Sequence, residues 1–296
     1  MGEFLDRYLV VRKPDVAPGT LELHERTGKY LKEHFGADRP LDRITKADAR
    51  DFKAALADEE LSTKLKLATS TVNMNVRNAR TIFALAVADE LLLANPFDKL
   101  AGKNPPPKAW HEVTDSELGK LLEAARPDWH LLLGLGIWAG LRRGEALDLR
   151  WEQIDWQRRR LTVIANDEWR PKDKDSRTVP IVPALFKLLL VGFEQAADGQ
   201  MRVIPDSINA KNVDRDFKVL CRRAEVAPWK KPMHTLRKTG LTRFAREFPQ
   251  HVVKEWAGHG DERTTSQFYL KVSDLEYDKA AGMQTRQAAT TTAAQA

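Results

Sequence analysis

The sequence predicts a mainly helical protein with two domains, the second of which also carries a small antiparallel sheet. Apolar residues at helical spacing recur through residues 1–101. A proline-rich segment, Gly102–Lys108, follows them, and two β-rich runs come after that segment. A chain of 296 residues is long enough for two domains of ordinary size.

Capping boxes mark the start of one helix in each predicted domain. Thr45 and Asp48 have the required spacing ahead of an apolar run. Thr114 and Glu117 repeat that spacing just after the proline-rich segment. In such a box, each side chain satisfies a main-chain N–H group that the first turn of a helix leaves unpaired.

A longer helix is predicted to begin near Ser70 and to end at Asn95–Pro96, because a residue before proline avoids helical dihedral angles. One apolar stripe has spacings of three and four residues: Val72, Val76, Ala79, Phe83 and Ala86. The opposite face carries short polar or basic groups: Asn73, Asn75, Arg77, Asn78 and Arg80. This face is either solvated or lies against phosphates and base edges.

The domain limits follow from the proline-rich segment, since prolines keep a connector extended and semi-rigid. We predict a helical domain over residues 1–103, a linker over 104–109 and a second domain over 110–282. Residues 283–296 are mostly Thr, Ala and Gln, and a tail without fixed structure is expected there.

The second domain is predicted to combine a hairpin with several helices. Leu161–Ile164 and Arg177–Val182 are the β-rich runs, and the polar stretch Arg170–Ser176 lies between them. The later helical patterns are Ala184–Leu190, Val213–Ala224, His234–Phe248 and Val252–Trp256.

Composition narrows the class of protein. Lys and Arg outnumber Asp and Glu by 48 to 42, which permits nucleic-acid binding without establishing it. The single cysteine, Cys221, excludes an intrachain disulfide and a zinc site built from cysteines. The sequence contains neither a run of about 20 apolar residues nor a signal-peptide pattern, so a cytoplasmic protein is expected.

Three segments hold residues suited to binding or reacting with an anion. In the first, Gly140 interrupts an apolar helix, and Arg142 lies where the next helix begins, with Glu145 three residues on. Free N–H groups at a helix start attract anions, and an arginine there adds charge. His234 and Arg237 share a helical face in the second segment.

The third segment contains His259 between Gly258 and Gly260, followed by Tyr269. A threonine ahead of Tyr269 is expected to cap a short helix that presents this tyrosine. Taken singly, each segment also has an ordinary explanation. The first could be a helical corner with solvated arginines, the second a His-x-x-Arg pair that occurs by chance, and the tyrosine of the third a buried core aromatic.

Taken in order, the segments resemble the tyrosine recombinase (phage integrase) family. That family has Gly-Leu-Arg followed by Gly-Glu, then His-x-x-Arg, then Gly-His and a tyrosine near the C-terminus. This sequence matches the pattern with five polar groups and a tyrosine: Arg142, Glu145, His234, Arg237, His259 and Tyr269. Lys172 fits the basic residue that the family carries on a hairpin, and the resemblance covers residues 1–280.

The resemblance implies a fold and an activity. The first domain would be the family's helical core-binding (SAM-like) domain and the second its α+β catalytic domain. The implied activity is site-specific DNA recombination or integration, by which a mobile element is moved. DNA would be cleaved and rejoined through a 3′-phosphotyrosyl intermediate on Tyr269, with Lys172 protonating the leaving 5′ oxygen. Arg142, Arg237 and His259 would contact the phosphate, and His234 would assist proton transfer.

The resemblance also implies which partners and cofactors to expect. The partner would be double-stranded DNA, bound by a homotetramer on paired recombination sites, and accessory proteins remain possible. Neither a metal nor another cofactor is expected, because fixed cations would hold the phosphate charge. Many phage integrases carry a further arm-binding domain ahead of the helical domain; no such domain is recognised here, so a simpler or truncated recombinase is expected.

Some features depart from the common pattern. Tyr269 follows His259 by ten residues, whereas nine is usual, and Phe268 occupies the ninth position. Tyr277 is the other nearby candidate for the nucleophile. Lys174 would replace Lys172 if the hairpin tip were one turn shorter.

Other functions remain open. A type IB topoisomerase shares nearly the same catalytic residues and would nick and close DNA without a partner duplex. A non-catalytic DNA-binding regulator would be expected to lack at least one of Arg142, Arg237 and Tyr269, all of which are present. A metal-dependent nuclease is the least supported, since no acidic cluster with ligand spacing accompanies the motifs.

Overall fold

The computed structural model describes residues 1–58, 66–105, 110–164, 176–258 and 274–282. The described residues up to 105 form one compact unit, and those from 110 onward form a second. The mainly helical fold class with a small antiparallel sheet is confirmed. The residue limits proposed for the domains, linker and tail stay a prediction. In the described part of the chain, no helix is long and apolar enough to span a membrane.

The first unit is helical throughout its described elements. They are α1 (Gly2–Arg12), α2 (Pro18–Phe35), α3 (Lys46–Ala57) and α4 (Thr69–Ala88), with a 3-10 turn at Leu41–Arg43. The predicted capping box of Thr45 and Asp48 opens α3. Aromatic rings fill the core, where Phe83 and Phe97 lie 4.8 Å apart between ring centroids.

Helix α4 confirms the predicted apolar stripe but ends earlier than expected. All five stripe residues are buried. The helix ends at Ala88, so the predicted end at Asn95–Pro96 is wrong. Glu90 adopts a left-handed conformation with φ of 59°, and the N–H of Leu91 donates to the carbonyl of Ala86 at 2.8 Å. A left-handed residue just past the last turn ends a helix without needing proline.

The predicted polar face of α4 is also partly wrong, because Asn73 and Asn75 are each only 1% exposed. Asn75 accepts a hydrogen bond from Thr27 of α2 at 2.9 Å. Asn73 accepts from the N–H of Gly102 at 3.0 Å and donates to the carbonyl of Lys103 at 3.2 Å. Both amides are therefore buried hydrogen-bonding groups and are unavailable to solvent or to DNA.

The second unit combines helices with a three-stranded antiparallel sheet. Its helices before the sheet are α5 (Asp115–Ala124), α6 (Pro127–Trp138) and α7 (Arg143–Asp148), followed by a 3-10 turn at Trp151–Gln153. The strands are β1 (Ile154–Asp155), β2 (Arg160–Val163) and β3 (Arg177–Pro180). The remaining helices are α8 (Pro183–Glu194), α9 (Val213–Arg223), α10 (Pro232–Glu247), α11 (Gln250–Ala257) and α12 (Asp274–Ala280).

The predicted hairpin is confirmed for its two strands, which pair in antiparallel register with Val163 opposite Arg177. The tip of this hairpin, including residues 165–175, lies outside the described residues. The second predicted capping box also forms, and Thr114 with Glu117 opens α5.

Helix α6 is the centre of the second unit and packs against α8 and α10. A Cβ atom added at Gly240 of α10 would lie 1.9 Å from the carbonyl oxygen of Ile137, so only glycine allows this approach. The contact fixes α10 against the end of α6, where Gly140 and Arg142 follow. On α9, Cys221 is fully buried; this burial, together with the charge of Glu117, raises the pKa of the thiol to about 11.

Candidate active site

A glycine turn places Arg142 at the start of a helix. Helix α6 ends at Trp138, and Gly140 has a φ of 60°, a left-handed conformation that favours glycine. Arg142 is then the N-cap residue of α7, and its main-chain N–H donates to a carboxylate oxygen of Glu145 at 2.7 Å. The helical break predicted between Gly140 and Arg142 is confirmed.

Glu145 is the centre of a cluster of arginines and is itself only 1% exposed at its side chain. Its Oε1 accepts from Nη1 of Arg142 at 2.8 Å and from Nη1 of Arg177 at 2.9 Å. Its Oε2 accepts from Nη2 of Arg177 at 2.5 Å, and Nη1 of Arg237 lies 3.9 Å away. A buried carboxylate needs such partners, because an unpaired charge in the interior is very costly.

Glu145 stays ionised in this environment. Burial alone would raise the pKa of its carboxyl group. The hydrogen bonds and charge of Arg177, together with the main-chain and side-chain donors of Arg142, more than offset burial, and the pKa is lowered.

The same three arginines hold the end of α11. Nε of Arg177 donates to the carbonyl of Trp256 at 2.9 Å, and Nη2 of Arg237 donates to that of Ala257 at 2.7 Å. Nη2 of Arg142 donates to the carbonyl of Gly258 at 3.2 Å. The last carbonyls of a helix lack partners within it and carry partial negative charge, so cations are favoured there. Three successive carbonyls thus bind three different arginines.

Of the two predicted phosphate-binding arginines, Arg237 is the more buried, with a side chain 6% exposed against 37% for Arg142. It also donates to the carbonyl of Gly140, which ties α10 to the turn ahead of Arg142. Burial and the charge of Arg142 lower the pKa of its guanidinium to about 10, so the group stays protonated at neutral pH.

His234 lies one turn before Arg237 on α10, and its side chain is exposed. Partial burial, followed by the charges of Lys231, Arg237 and Lys238, lowers the pKa of its imidazole below the usual 6.5. The ring is therefore largely neutral at pH 7, and a neutral imidazole can accept a proton.

The other predicted residues, Lys172, His259 and Tyr269, lie outside the described residues, as does the alternative Lys174. Tyr277, the alternative nucleophile, is described on α12 and is 6% exposed. Its hydroxyl donates to the carbonyl of Thr178 on β3 at 3.2 Å, and the Arg160 guanidinium lies 4.4 Å from the centre of its ring. In this position, the Tyr277 side chain is packed as a core aromatic.

Arg177 was not among the candidates that the sequence indicated. Its sequence signal was weak, because a single arginine at the start of a β-rich run is common on solvated strand faces. The sheet pairing carries it to Glu145, which lies 32 residues earlier in the chain. Among the described residues, no group of three or more His, Cys, Asp or Glu could hold a metal ion.

The sequence of this second unit matches a known family. A model of the phage integrase family matches residues 112–276, which is more than half of the chain. The chain belongs to the phage integrase family. It is a tyrosine-type site-specific recombinase. A model of the SAM-like domain of phage integrases matches residues 1–103, so the first unit is a SAM-like domain.

Known relatives resemble the recombinase over most of its length. The ICEBs1 integrase of Bacillus subtilis strain 168 is 25% identical over 267 residues, covering 81% of this chain and 70% of that relative. A structure of the Tn1549 transposon integrase with transposon right end DNA has a TM-score of 0.70 at 16% identity and covers 96% of both chains. A lambda integrase tetramer bound to a Holliday junction has a TM-score of 0.67 at 17% identity, covering 91% of this chain and 80% of that one. At such identities, the structural likeness concerns the fold.

Proposed function

We propose that the recombinase cleaves and rejoins DNA through a covalent bond between Tyr269 and a DNA 3′ phosphate. The phenolic oxygen attacks the phosphorus, and the bond from phosphorus to the 5′ oxygen breaks. A second strand then attacks the phosphotyrosyl bond with its own 5′ hydroxyl and releases the tyrosine. The observation that carries the proposal is the cluster of Arg142, Arg177 and Arg237 around Glu145, in the segment that matches the family.

Arg142 is the residue of the cluster best exposed for binding a phosphate, since its side chain is 37% exposed. Arginine offers paired N–H donors that match two non-bridging oxygens of a phosphate. We infer that Arg142 and Arg237 stabilise the charge that builds up on these oxygens, together with His259.

The energies are of the right size for this role. A phenol with a pKa near ~10 costs roughly 4 kcal/mol to ionise at pH 7. One preorganised donor in an active site typically contributes about 3 kcal/mol to transition-state stabilisation. Two arginines are therefore enough to offset the ionisation of the tyrosine.

Two further groups would move protons. His234, largely neutral at pH 7, would accept the proton near the tyrosine. Lys172 would protonate the departing 5′ oxygen, because an ammonium group releases a proton more readily than a guanidinium group. No metal is needed in this scheme, since fixed cations take the place of Mg²⁺.

The proposed partner is double-stranded DNA, and the proposed assembly is a homotetramer on two paired recombination sites. The tetramer is supported by the lambda integrase, whose fold this chain shares and which was solved as a tetramer on a Holliday junction. A topoisomerase-like nicking and closing activity is the alternative. It would relax supercoiled DNA without joining two duplexes.

The nucleophile can be tested with a nicked duplex made from the DNA that flanks the gene for this chain. Such a substrate loses the fragment needed for rejoining and traps the covalent adduct. Tyr269→Phe removes only the reacting oxygen, so DNA binding should persist while the adduct disappears. Peptide mapping of the wild-type adduct should locate the phosphate on Tyr269.

Tyr277→Phe is the matched control. Its ring should stay packed, and losing the bond to Thr178 should cost about 1 kcal/mol of stability while adduct formation stays near the wild-type level. An adduct on Tyr277, or one that survives in Tyr269→Phe, would contradict the assignment. If the wild-type protein forms no adduct with DNA that it binds, the proposed chemistry itself is wrong.

A further inference from the structure

Arg177 forms hydrogen bonds both to Glu145 and to the end of α11. It is the first residue of β3 and lies opposite Val163 of β2. Two of its nitrogens form a fork on the carboxylate of Glu145, and Nε donates to the carbonyl of Trp256. A paired fork of this kind fixes the orientation of both groups as well as their distance.

The orientation of Arg177 differs from that of Arg142. Its side chain is 10% exposed, against 37% for Arg142. Its Nε, Nη1 and Nη2 atoms each donate to an acceptor within the protein. Arg142 uses one nitrogen for Glu145 and one for Gly258, and keeps a larger surface open. Because all three nitrogens of Arg177 donate to protein acceptors, Arg177 is suited to hold protein groups in place. Arg142 keeps the more open surface of the two for DNA.

Arg177 also packs tightly against the turn that ends α11. Gly258 has a φ of 60°, and a Cβ atom added there would lie 2.8 Å from Cδ of Arg177. The carbonyl of this glycine accepts the hydrogen bond from Arg142. The next residue in the chain is His259. Arg177 thus packs against the same turn whose carbonyl binds Arg142.

Charge gives Arg177 a second role. Three guanidinium groups surround one carboxylate, which leaves an excess of two positive charges in the cluster. Without Arg177, Glu145 would neutralise a larger share of the charge of Arg142 and Arg237. The fork on Glu145 thereby leaves more positive charge for an incoming phosphate.

We propose that Arg177 is a positioning residue of the recombination reaction. It holds Glu145 and the end of α11, both of which bind Arg142, so that Arg142 is positioned to contact a phosphate. The inference rests on the proposed cleavage of DNA by this site. It adds a residue that acts on the reaction through Glu145 and Arg142 and does not itself contact DNA.

The test compares Arg177→Lys, Glu145→Gln and the double variant with the wild-type protein. Lysine keeps the charge but cannot form the fork and bind Trp256 at once. DNA affinity should stay within about 3-fold, because Arg142 keeps its exposed donors. Single-turnover cleavage of the nicked duplex should slow by up to about 100-fold, because a misplacement of about 1 Å in a reacting group can cost that much. Since both residues act through one network, the double variant should be little slower than the slower single variant.

Arg243→Lys is the matched control. Arg243 is a half-buried arginine of α10 that donates to the carbonyl of Val113 and pairs with Asp115, on other partners than Glu145. Its loss should lower the unfolding midpoint but leave cleavage within about 3-fold below that midpoint. A purely structural role for Arg177 would give this same pattern in Arg177→Lys, and that result would overturn the inference.

The remaining outcomes are also decisive. If the wild-type protein forms no adduct, the proposed function fails, whatever the Arg177 variants do. If Arg177→Lys does not fold, the double variant is compared with Glu145→Gln instead. The double variant should fold, because it has no buried carboxylate that lacks its arginine partner. Cleavage by the double variant within about 3-fold of Glu145→Gln supports the inference. Cleavage more than about 10-fold slower would mean that Arg177 acts independently of Glu145 and would overturn it.

Discussion

At the scale of single residues, one buried carboxylate organises the site. Glu145 accepts hydrogen bonds from Arg142 and Arg177 and lies 3.9 Å from Arg237. Removing one member of a buried ion pair typically costs about 3–5 kcal/mol, because the other charge is left without its partner. The cluster therefore couples the stability of the second unit to the geometry of its cationic surface.

The lowered pKa of His234 predicts how cleavage depends on pH. If the neutral imidazole accepts the tyrosine proton, the rate should fall as the pH drops through the pKa of this histidine, which lies below 6.5. The rate should be insensitive to this group above that value. Single-turnover cleavage measured from pH 5 to 8 should show this decline, and His234→Gln should be slower and should lack it.

His251→Gln provides the control for this pH dependence. His251 belongs to α11 in the same unit and has no proposed part in proton transfer. Its replacement should leave the decline below pH 6.5 unchanged. Persistence of the decline in His234→Gln would assign it to another group and remove His234 from the mechanism.

Sequence spacing predicted some residue contacts and could not predict others. Arg142 and Glu145 are three residues apart at a helix start, so their contact follows from local geometry. Arg177 reaches the same carboxylate through the pairing of β2 with β3, and no local pattern encodes that approach. The three carbonyls at the end of α11 were also missed, since main-chain groups leave no mark in a sequence.

At the scale of elements, periodicity predicted which face of a helix is buried in the core better than it predicted which polar residues are exposed to solvent. The apolar stripe of α4 is buried as expected. Asn73 and Asn75 are buried as well, because their partners come from residues 102–104 and from α2. A residue that finds a distant polar partner cannot be distinguished from a solvated one by spacing alone.

The contacts of Asn73 predict that trypsin cuts slowly after Lys103. The main chain at Gly102 and Lys103 is bonded to Asn73, so Lys103 should resist trypsin although its side chain is exposed. In brief digestion, the wild-type protein should be cut after Lys108 before it is cut after Lys103. Asn73→Ala removes these bonds, so trypsin should then cut after Lys103 about as fast as after Lys108. Mass spectrometry of the fragments would measure the two rates.

Asn75→Ala is the matched control on the same helix. It removes a buried amide that bonds to Thr27 and Thr71, so it should lose roughly 1–2 kcal/mol of stability without changing the order of cuts. If Lys103 is cut first in the wild-type protein, Asn73 does not protect this stretch. An early dominant cut within residues 30–90 or 115–160 would instead contradict the proposed domain limits.

At the scale of the whole molecule, we propose that the chain itself provides all the cations that the reaction needs. The proposed cations come from α7, α10 and two segments outside the described residues, and the family resemblance links them by motif order. The sequence predicted this set because each motif is short and contiguous. It could not predict that Arg142 and Arg237 both lie next to Glu145. That arrangement depends on the close contact of α6 with α10 at Gly240.

Cleavage is therefore expected to proceed in excess EDTA. Arg142, Arg237, Lys172 and His259 are proposed to stabilise the charge that Mg²⁺ holds in other phosphoryl transfer enzymes. The rate on the nicked duplex should stay within about 2-fold of the rate in Mg²⁺. A magnesium-dependent endonuclease in the same buffer should lose its activity. Loss of cleavage in EDTA that Mg²⁺ restores would favour a metal-dependent nuclease instead.

The buried cysteine has a practical consequence for observing the two units in solution. With its pKa raised to about 11, the thiol of Cys221 is ionised in only about one molecule in 10⁴ at pH 7. Because the thiolate is the reactive form, maleimide dyes should leave this residue unlabelled. If one cysteine were introduced at an exposed position of each unit, only these two introduced cysteines would react with the dye. The natural chain is thus already suited to single-molecule distance measurements, with its one native cysteine left in place.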